Sequence, residues 1–305
     1  MLTIKTREEN FGSILYNSEN DRFTLRTNYK KEDILDEKLS APLTLHWLLT
    51  MRCNARCPYC YELPYLLKPT DRENGLSKEN VSRIINDLAD NNVFRVYLTG
   101  GEPTLSPILN NVLESAYLKE IKAVVNSNGI NIPEETYNSL KKYQARLSLS
   151  LDSYIKETHD KARKQKSYDA IINIMKKSVN EGIDIRVISV VDNNIKYKTF
   201  GAFLSDLGVK SWFIQAKTDN GSEIPANKEL EVKLKEYFPE MNIRVLPAIF
   251  DSFMYLLPNG DLGVNLWNPN KKIYGNILEN KINYIWDIHK YNKVRDHQGI
   301  LHFEQ

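Results

Sequence analysis

The chain has 305 residues, of which 42% are hydrophobic and 26% are charged. This composition is close to the average of globular proteins and excludes a chain that is disordered throughout. A chain of this length buries about 75% of the surface that it would expose unfolded, so it can form a large core without cross-links. Lys plus Arg number 41 and Asp plus Glu 39. That balance argues against a nucleic-acid partner held by bulk charge, and none is expected.

The sequence gives no sign of membrane insertion or export. No stretch approaches the ~18 apolar residues of a spanning helix, and residues 1–10 lack the apolar core and cleavage site of a signal peptide. We therefore expect a cytoplasmic protein without a membrane partner. The three cysteines lie within eight residues of one another. In a reducing compartment such a cluster indicates a metal site and not a disulfide framework.

In the middle of the chain, apolar runs alternate with segments of helical spacing, as at Val81, Ile84, Ile85 and Leu88. Strands that alternate with helices predict parallel pairing through right-handed crossovers. The predicted strands cover residues 43–49, 93–98, 121–125, 147–151, 183–191 and 209–214. They predict an α/β fold, either an incomplete barrel or an open doubly wound sheet. In both, the chemistry gathers at the carboxyl ends of the strands.

The two ends of the chain follow a different pattern. Asn259-Gly260, between two apolar runs, is a strong hairpin signal. The elements predicted at the two ends are a hairpin over 11–26, a helix over 31–39, a helix over 228–237, a strand over 243–246, a hairpin over 253–266 and a helix over 282–289. We predict an N-terminal extension (1–42), a central α/β domain (43–216) and a C-terminal extension (217–305).

The three cysteines directly follow the first predicted strand of the central domain. Cys53, Cys57 and Cys60 have the spacing C-x3-C-x2-C. Three thiolates on a short loop can bind three irons of a [4Fe–4S] cube and leave the fourth iron open for chemistry. A structural zinc site would need a fourth ligand, but there is no further cysteine and His46 lies within the strand. Zinc and three inert buried cysteines are the alternatives.

This loop resembles the signature of the radical S-adenosylmethionine (radical SAM) enzymes, which implies a partial (β/α)6 barrel. It implies that the open iron of one [4Fe–4S] cluster chelates the amino and carboxylate groups of S-adenosylmethionine. One electron, from a donor such as flavodoxin or ferredoxin, then cleaves this cofactor to methionine and a 5′-deoxyadenosyl radical, which abstracts hydrogen from a substrate. The family position of Tyr59, just before the third cysteine, is an aromatic that approaches the adenine.

A second motif ends the next predicted strand with Gly100, Gly101, Glu102 and Pro103. Paired glycines let the backbone take positive φ or approach a ligand closely. The alternative is a strand-to-helix turn with proline in its first helical turn. After the cysteine loop these residues resemble the family's GGEP motif, which implies contact with the ammonium group of S-adenosylmethionine.

Two further strands end in residues that suit a nucleoside. Ser127 and Asn128 can hydrogen-bond a ribose hydroxyl, or can simply form an Asx-type turn closed by Gly129. Val190 and Val191 can form an apolar wall for adenine, or can be ordinary core residues.

The fourth predicted strand leads into Ser150, Asp152, His159, Asp160 and Arg163. This resembles the S-x-D…H-D-x-x-R pattern of a subfamily that includes peptide and sulfatase maturases. The resemblance implies that Ser150 and Arg163 contact the ribose and the carboxylate of S-adenosylmethionine. Arginine suits a carboxylate because its donors form a planar fork. Asp152 is either a cofactor contact or a helix cap.

The C-terminal third is similar to the SPASM or twitch extension, with Tyr255–Asp261 followed by Gly275–Ile277 and Ile285–Trp286. In those proteins a cysteine after the hairpin binds an auxiliary cluster. Here residues 263–265 read Gly-Val-Asn and no cysteine is left. We therefore expect a small α+β extension that cannot bind a second, cysteine-ligated cluster. Residues 7–17 are similar to the N-terminal hairpin of peptide-modifying members, or merely cover the open end of the barrel.

The resemblance favours a radical SAM enzyme with one cluster that acts on a ribosomally made peptide, by an oxidative crosslink or a related modification, or on another polar small molecule. One alternative is an enzyme similar to viperin that modifies nucleotides. Another is a non-catalytic iron–sulfur scaffold. The catalytic residues that face the substrate are unknown from the sequence, although Asp219 and Tyr255 are candidates.

Overall fold

The computed structural model describes residues 3–60, 75–191, 195–216, 227–246, 254–264, 272–289, 291–297 and 300–304. Its strands are β1 (Ile4–Glu9), β2 (Gly12–Asn17), β3 (Arg22–Arg26), β4 (Thr44–Thr50), β5 (Arg95–Gly100), β6 (Lys122–Ser127), β7 (Arg146–Ser150), β8 (Ile185–Val191), β9 (Ser211–Ala216), β10 (Asn242–Leu246), β11 (Met254–Leu256), β12 (Asp261–Val264), β13 (Lys272–Asn276) and β14 (Leu301–Glu304). Its helices are α1 (Lys31–Ile34), α2 (Lys78–Asp90), α3 (Leu109–Leu118), α4 (Glu134–Lys142), α5 (Lys156–Arg163), α6 (Tyr168–Asn180), α7 (Tyr197–Asp206), α8 (Lys228–Tyr237) and α9 (Ile282–Asp287).

The predicted α/β fold with a parallel sheet is confirmed. The strands form a ten-stranded sheet in the order β10-β9-β8-β7-β6-β5-β4-β11-β12-β13. Pairing is parallel from β10 through β11, so the sheet contains the six predicted strands and gains a parallel neighbour on each side. Among the described residues, no pairing joins the edge strands β10 and β13. The carboxyl ends of the parallel strands therefore meet at one edge of this barrel-like sheet.

The hydrophobic core lies between this sheet and the helices on its outer face. Helix α2 begins at a capping box between Ser77 and Asn80, and it buries the four apolar residues whose spacing predicted it. The outward-facing residues of the strands, such as Val96 and Leu98, belong to the same buried cluster. Parallel strands are expected to be apolar on both faces, because helices cover one face and the interior of the barrel encloses the other. The inner face departs from this rule, as shown below.

The N-terminal hairpin is confirmed and closes the amino-terminal end of the barrel. It pairs in a four-stranded sheet of order β1-β2-β3-β14. Strand β1 was indicated only by the resemblance of residues 7–17 to an N-terminal hairpin, and β14 was not predicted. The turn of the hairpin places Asp21, which is only 3% exposed, against the guanidinium groups of Arg95 and Arg186. These arginines lie at the beginnings of β5 and β8. We call this charged layer the floor of the barrel. The hairpin therefore covers an end of the barrel, as one of the two interpretations predicted.

The C-terminal third contributes strands to both sheets. The predicted hairpin is present as β11 and β12, and Gly260 in its turn has a φ of +92°. The helix predicted over 31–39 ends at Ile34, which is shorter than expected. Residues 253 and 265–266 of the predicted hairpin, and Asp219, lie outside the described residues. No helix in the described part of the chain has the length and apolarity to cross a bilayer.

Candidate functional site

The loops that follow β4, β5, β6 and β7 meet at the carboxyl edge of the sheet, which we call the rim. The cysteine loop (51–60) follows β4 and is fixed to the loops after the neighbouring strands. The backbone N–H of Gly101 donates to the carbonyl oxygen of Thr50 at 2.7 Å. The side-chain amide of Asn128, after β6, donates to Asn54 of the cysteine loop, also at 2.7 Å. The structure thus brings together motifs that are far apart in the sequence.

The glycine pair is required by the close approach of β5 to the cysteine loop. A Cβ atom at Gly100 would lie 2.2 Å from the carbonyl oxygen of Thr50, and one at Gly101 would lie 2.1 Å from that of Arg52. Gly100 also has a φ of +126°, which L side chains rarely adopt. Pro103 begins a buried 3-10 turn, as the strand-to-helix interpretation predicted. The two glycines therefore allow the end of β5 to pack directly against the start of the cysteine loop.

Glu102 is buried, and its carboxylate accepts four hydrogen bonds from groups of the rim. It accepts hydrogen bonds from the backbone N–H and hydroxyl of Thr104, at 3.2 and 2.8 Å. It also accepts from the hydroxyl of Ser127 and the backbone N–H of Asn128, both at 2.8 Å. Burial raises the pKa of Glu102, although these hydrogen bonds counteract the rise. The side chain thereby links the end of β5 to the end of β6.

The turn after β6 has the predicted Asx geometry. Asn128 Oδ1 accepts from the backbone N–H of Ile130 at 3.0 Å, and Ser127 Oγ accepts from that of Gly129 at 3.0 Å. The same Asn128 places its Nδ2 atom 3.9 Å from the sulfur of Cys53. The turn is thus both an ordinary Asx turn and a direct neighbour of the cysteine loop.

A buried ion pair anchors the other side of the cysteine loop. Arg163 Nε lies 2.9 Å from Asp152 Oδ2, with side-chain exposures of 8% and 2%. The hydroxyl of Tyr59 donates to the same Asp152 oxygen, and Val190 donates its backbone N–H to the other oxygen at 3.0 Å. Burial and the neighbouring carboxylate raise the pKa of Tyr59. The interpretation of Asp152 as a helix cap is wrong, because α5 begins after Ile155 and has no side-chain cap.

The His-Asp pair of the H-D-x-x-R pattern supports this ion pair. His159 Nδ1 accepts the backbone N–H of Asp152 at 3.2 Å, and its other ring nitrogen lies 2.9 Å from Ser167 Oγ. Burial, and secondarily Arg163, lower the pKa of His159 to about 4, so the neutral ring can accept this bond. Asp160 accepts the backbone N–H groups of Ser167 and Tyr168, which start helix α6. The sequence contained the motif, but it did not indicate that His159 and Asp160 hold the backbone around the ion pair.

The donor set of the loop fits an iron–sulfur cluster. Cys53, Cys57 and Cys60 are free thiols of intermediate burial, and burial raises the pKa of Cys53 and Cys57. Arg163 Nη1 lies 4.0 Å from the sulfur of Cys57. With Asn128, it offers N–H groups to two sulfurs, as suits the thiolates of an anionic cluster. Among the described residues, no three His, Cys, Asp or Glu side chains are grouped around a single-ion position.

The other predicted residues differ in their surroundings. Ser150 ends β7 with its side chain partly exposed. Val191 is 5% exposed and belongs to the hydrophobic core, so the core interpretation describes its packing. Tyr255 lies on β11, with its ring 5.0 Å from that of His46. Asn54, which contacts Asn128, was not predicted; its position between two cysteines was the only signal.

Comparison with known proteins agrees with this geometry. The family described as the Radical SAM superfamily matches residues 47–207. Mycofactocin maturase MftC of Mycobacterium tuberculosis (strain ATCC 25618 / H37Rv) is 27% identical over 235 residues, which is 74% of this chain and 58% of the relative. The antilisterial bacteriocin subtilosin biosynthesis protein AlbA of Bacillus subtilis is 32% identical over 178 residues, which is 56% of this chain and 39% of AlbA. This chain thus spans less than two thirds of the length of either relative.

Solved structures share the fold. Streptococcus suis SuiB bound to S-adenosylmethionine superposes with a TM-score of 0.74 at 18% identity, covering 94% of this chain and 87% of SuiB. SuiB bound to its precursor peptide SuiA gives a TM-score of 0.72 at 19% identity, covering 96% of this chain and 89% of SuiB. At these identities the likeness concerns the fold. The family match is decisive, because it spans more than half of the chain and contains every residue of the rim. This chain belongs to the radical SAM superfamily.

Proposed function

We propose that this protein is a radical SAM enzyme that binds one [4Fe–4S] cluster and S-adenosylmethionine and modifies a peptide. The observation that carries the proposal is the rim itself. Three free thiols on one loop are fixed by hydrogen bonds to the Gly-Gly-Glu turn, the Asx turn and the buried Asp152–Arg163 pair. Peptide chemistry is supported by the names of the relatives, which include a maturase, a bacteriocin biosynthesis protein and an enzyme solved with its precursor peptide.

Each part of the rim has a proposed task. Cys53, Cys57 and Cys60 ligate the cluster. When bound, the cluster supplies the electron that cleaves S-adenosylmethionine and so generates the 5′-deoxyadenosyl radical. The protein binds and orients the cofactor and excludes water from it. We assign the cofactor contacts to the predicted set: Tyr59, Gly100, Gly101, Glu102, Pro103, Ser127, Asn128, Ser150, Asp152 and Arg163. The predicted contact of Val191 is not proposed again, because this side chain packs in the hydrophobic core.

Two of these assignments are refined by the geometry. The oxygens of Glu102 already accept four hydrogen bonds. We therefore propose that Glu102 shapes the turn, and that backbone carbonyls of the turn face the cofactor's ammonium group. Arg163 uses Nε and Nη2 for Asp152, whereas Nη1 points toward the cysteine loop. That nitrogen is the one we propose for the cofactor's carboxylate, because charged hydrogen bonds to a carboxylate suit a guanidinium.

The proposed outcome is an oxidative modification such as a crosslink. The chain has no cysteine beyond the three of the loop, so it offers no thiol as a hydrogen donor to a substrate radical. One hydrogen atom of the substrate would leave with 5′-deoxyadenosine; the second would leave as a proton, and its electron would return to the oxidised cluster. We therefore expect one 5′-deoxyadenosine per modified peptide and a product two hydrogen atoms lighter than the substrate. A product of unchanged mass that carries solvent deuterium would contradict this outcome. The cytoplasmic location and a flavodoxin- or ferredoxin-type electron donor remain predictions.

The first experiment is the formation of 5′-deoxyadenosine. Anaerobically reconstituted protein is reduced with dithionite in the presence of S-adenosylmethionine, and the nucleoside is measured by chromatography for the wild type and for Cys57→Ala. We expect formation by the wild type only. A fully loaded wild type that makes none would support the non-catalytic scaffold. Mass spectrometry of small peptides encoded beside the gene, and of nucleotides as an alternative substrate class, then separates a peptide maturase from a viperin-like enzyme.

A further inference from the structure

The inner face of the barrel can be traced by contacts that cross it. Tyr97 on β5 accepts a hydrogen bond from Arg186 Nη1 on β8 at 3.1 Å, although two strands separate β5 from β8 in the sheet. Its ring also lies 4.8 Å from that of His46 on β4. These side chains therefore fill the interior of the barrel. Because strand residues alternate between faces, residues two positions further along face the interior as well.

Asn126 and Ser148 lie on this inner face, above the floor. Arg146 faces the interior because its Nη1 lies 3.5 Å from Asp21. In the pairing of β6 with β7, Val124 is opposite Arg146 and Asn126 is opposite Ser148. Both Asn126 and Ser148 thus point inward from neighbouring strands. They stand two residues before the rim positions Asn128 and Ser150, on the side of the rim that faces the floor.

Each of these two side chains places a polar oxygen without a hydrogen-bond partner, among the described residues, in a layer that is normally apolar. Ser148 is 1% exposed. Its Oγ atom and the Oδ1 atom of Asn126 are both shielded from solvent, and neither has a hydrogen-bond partner among the described residues. Barrel interiors are usually filled by branched apolar side chains. A buried polar atom without a partner destabilises the fold, so two such atoms side by side below a cofactor rim are candidates for binding a ligand.

We propose that Asn126 and Ser148 form an amide-binding pair that holds one residue of the substrate's peptide backbone inside the barrel. The inference rests on the proposed function and deepens it. A carboxamide and a hydroxyl can each accept or donate a hydrogen bond. In an extended peptide the N–H and C=O of one residue point to the same side. Neighbouring strands lie about 4.8 Å apart, so the pair can bind both groups of that residue.

The first test uses the stability of the protein without substrate. Ser189 is a matched control, because it is also fully buried on a neighbouring strand, but its hydroxyl donates to the carbonyl oxygen of Leu151 at 2.5 Å and accepts from Trp212 Nε1 at 2.9 Å. We expect Ser148→Ala to keep or raise the Tm, because an unpaired polar atom is removed. We expect Ser189→Ala to lower the Tm by about 2–4 °C. An equal fall in both variants would show that Ser148 is paired, and would overturn the proposal.

The second test measures binding of a defined probe to the reconstituted protein with S-adenosylmethionine bound. The probe is N-acetyl-alanyl-alanine methylamide, and its analogue has the central amide replaced by an ester. Saturation-transfer NMR should show signal for the amide probe with the wild type and with Ser189→Ala. Signal should fall at least threefold for the ester, and likewise for the amide probe with Asn126→Leu and with Ser148→Ala. Equal signals for the wild type and both variants would overturn the proposal.

The failures of the two proposals are distinguishable. Absence of 5′-deoxyadenosine from the wild type, with probe binding that depends on Asn126 and Ser148, would remove the radical chemistry but keep the amide-binding pair. Normal 5′-deoxyadenosine formation, with probe binding that is indifferent to both residues, would do the reverse.

Discussion

Replacing Asp152 by asparagine removes one negative charge from the rim while nearly preserving the volume of the side chain. The carboxylate accepts from Arg163, from Tyr59 of the cysteine loop and from the backbone of Val190. An asparagine oxygen can still accept from Val190. It cannot neutralise the buried guanidinium. The main consequence of the substitution is therefore an uncompensated charge on Arg163, beside the sulfur of Cys57.

The size of the effect follows from burial. Removing one partner of a buried ion pair costs about 3–5 kcal/mol, because the other charge stays desolvated. We expect Asp152→Asn to lower the free energy of unfolding of the apo-protein by about 3 kcal/mol, at the lower end because the bond to Val190 is kept. Anaerobic urea titration measures this loss. Asp169→Asn is the control, because Asp169 is 67% exposed and pairs with an exposed lysine. It should cause no measurable change.

A second substitution tests whether the unpaired charge on Arg163 causes the loss of stability. If the loss arises from the unpaired charge, then adding Arg163→Met to Asp152→Asn should restore part of the stability, with a coupling energy of about 2 kcal/mol. Additive losses in the double variant, or a single variant no less stable than Asp169→Asn, would refute the idea that this pair holds the rim together. Retention of the cluster by Asp152→Asn is a second, independent measurement of the effect, because Tyr59 of the cysteine loop would lose its charged acceptor.

Other predictions address the cofactors and the pH dependence. Arg163→Ala should weaken binding of S-adenosylmethionine by about 1.5–3 kcal/mol, the range for a hydrogen bond to a charged group, and Arg163→Lys should recover only part; unaltered affinity in calorimetry would exclude the carboxylate contact. Reconstituted protein should hold about four irons per chain, and Cys57→Ala should lose the visible absorbance of the cluster; about eight irons would mean a second cluster without cysteine ligands. Burial lowers the pKa of His46 and His297 to about 3, whereas histidine in an unfolded chain titrates near ~6.5. As the pH falls below ~6.5 the unfolded chain binds these protons first, so the free energy of unfolding should decrease by up to about 1.4 kcal/mol per pH unit for each histidine; a flat profile from pH 7 to pH 5 in urea titrations would contradict this.

Local signals in the sequence predicted most of the fold. The runs that became β4 to β9 could be recognised because their outward-facing residues, such as Val96 and Leu98, are apolar and buried against the helices. The turn at Asn259-Gly260 also has a purely local cause. Strands β1 and β14 lack such a local signal. In β1, Lys5, Arg7 and Glu9 alternate with other residues instead of forming an apolar run, and β14 pairs with β3 across almost the whole chain. Such pairing depends on the rest of the fold and leaves little trace in the strand itself.

The candidate site divides in a similar way. Its members could be found because motifs at the ends of neighbouring parallel strands must meet at one edge. The contacts between these members could not be predicted from the sequence. The four hydrogen bonds that Glu102 accepts, and the contacts of Asp152 with both Tyr59 and Arg163, depend on distances of tenths of an ångström between separate loops. The sequence motifs imply that Glu102 contacts the cofactor and leave Asp152 as a cofactor contact or a helix cap, whereas in the structure both side chains hold the loops of the rim together.

The two ends of the barrel use the same chemistry for different purposes. At the floor, buried Asp21 binds Arg95, Arg186 and the hydroxyl of Tyr16, and so fixes the N-terminal hairpin to the strands. At the rim, a buried aspartate again binds an arginine, but that arginine keeps a nitrogen directed at a cysteine sulfur. The charge pairs at the floor therefore serve stability, whereas the rim keeps an N–H donor of Arg163 available. This division is expected of parallel barrels, because their carboxyl end carries the chemistry. The amide-binding pair lies between these two layers, where a substrate entering past the rim would be stopped by the floor.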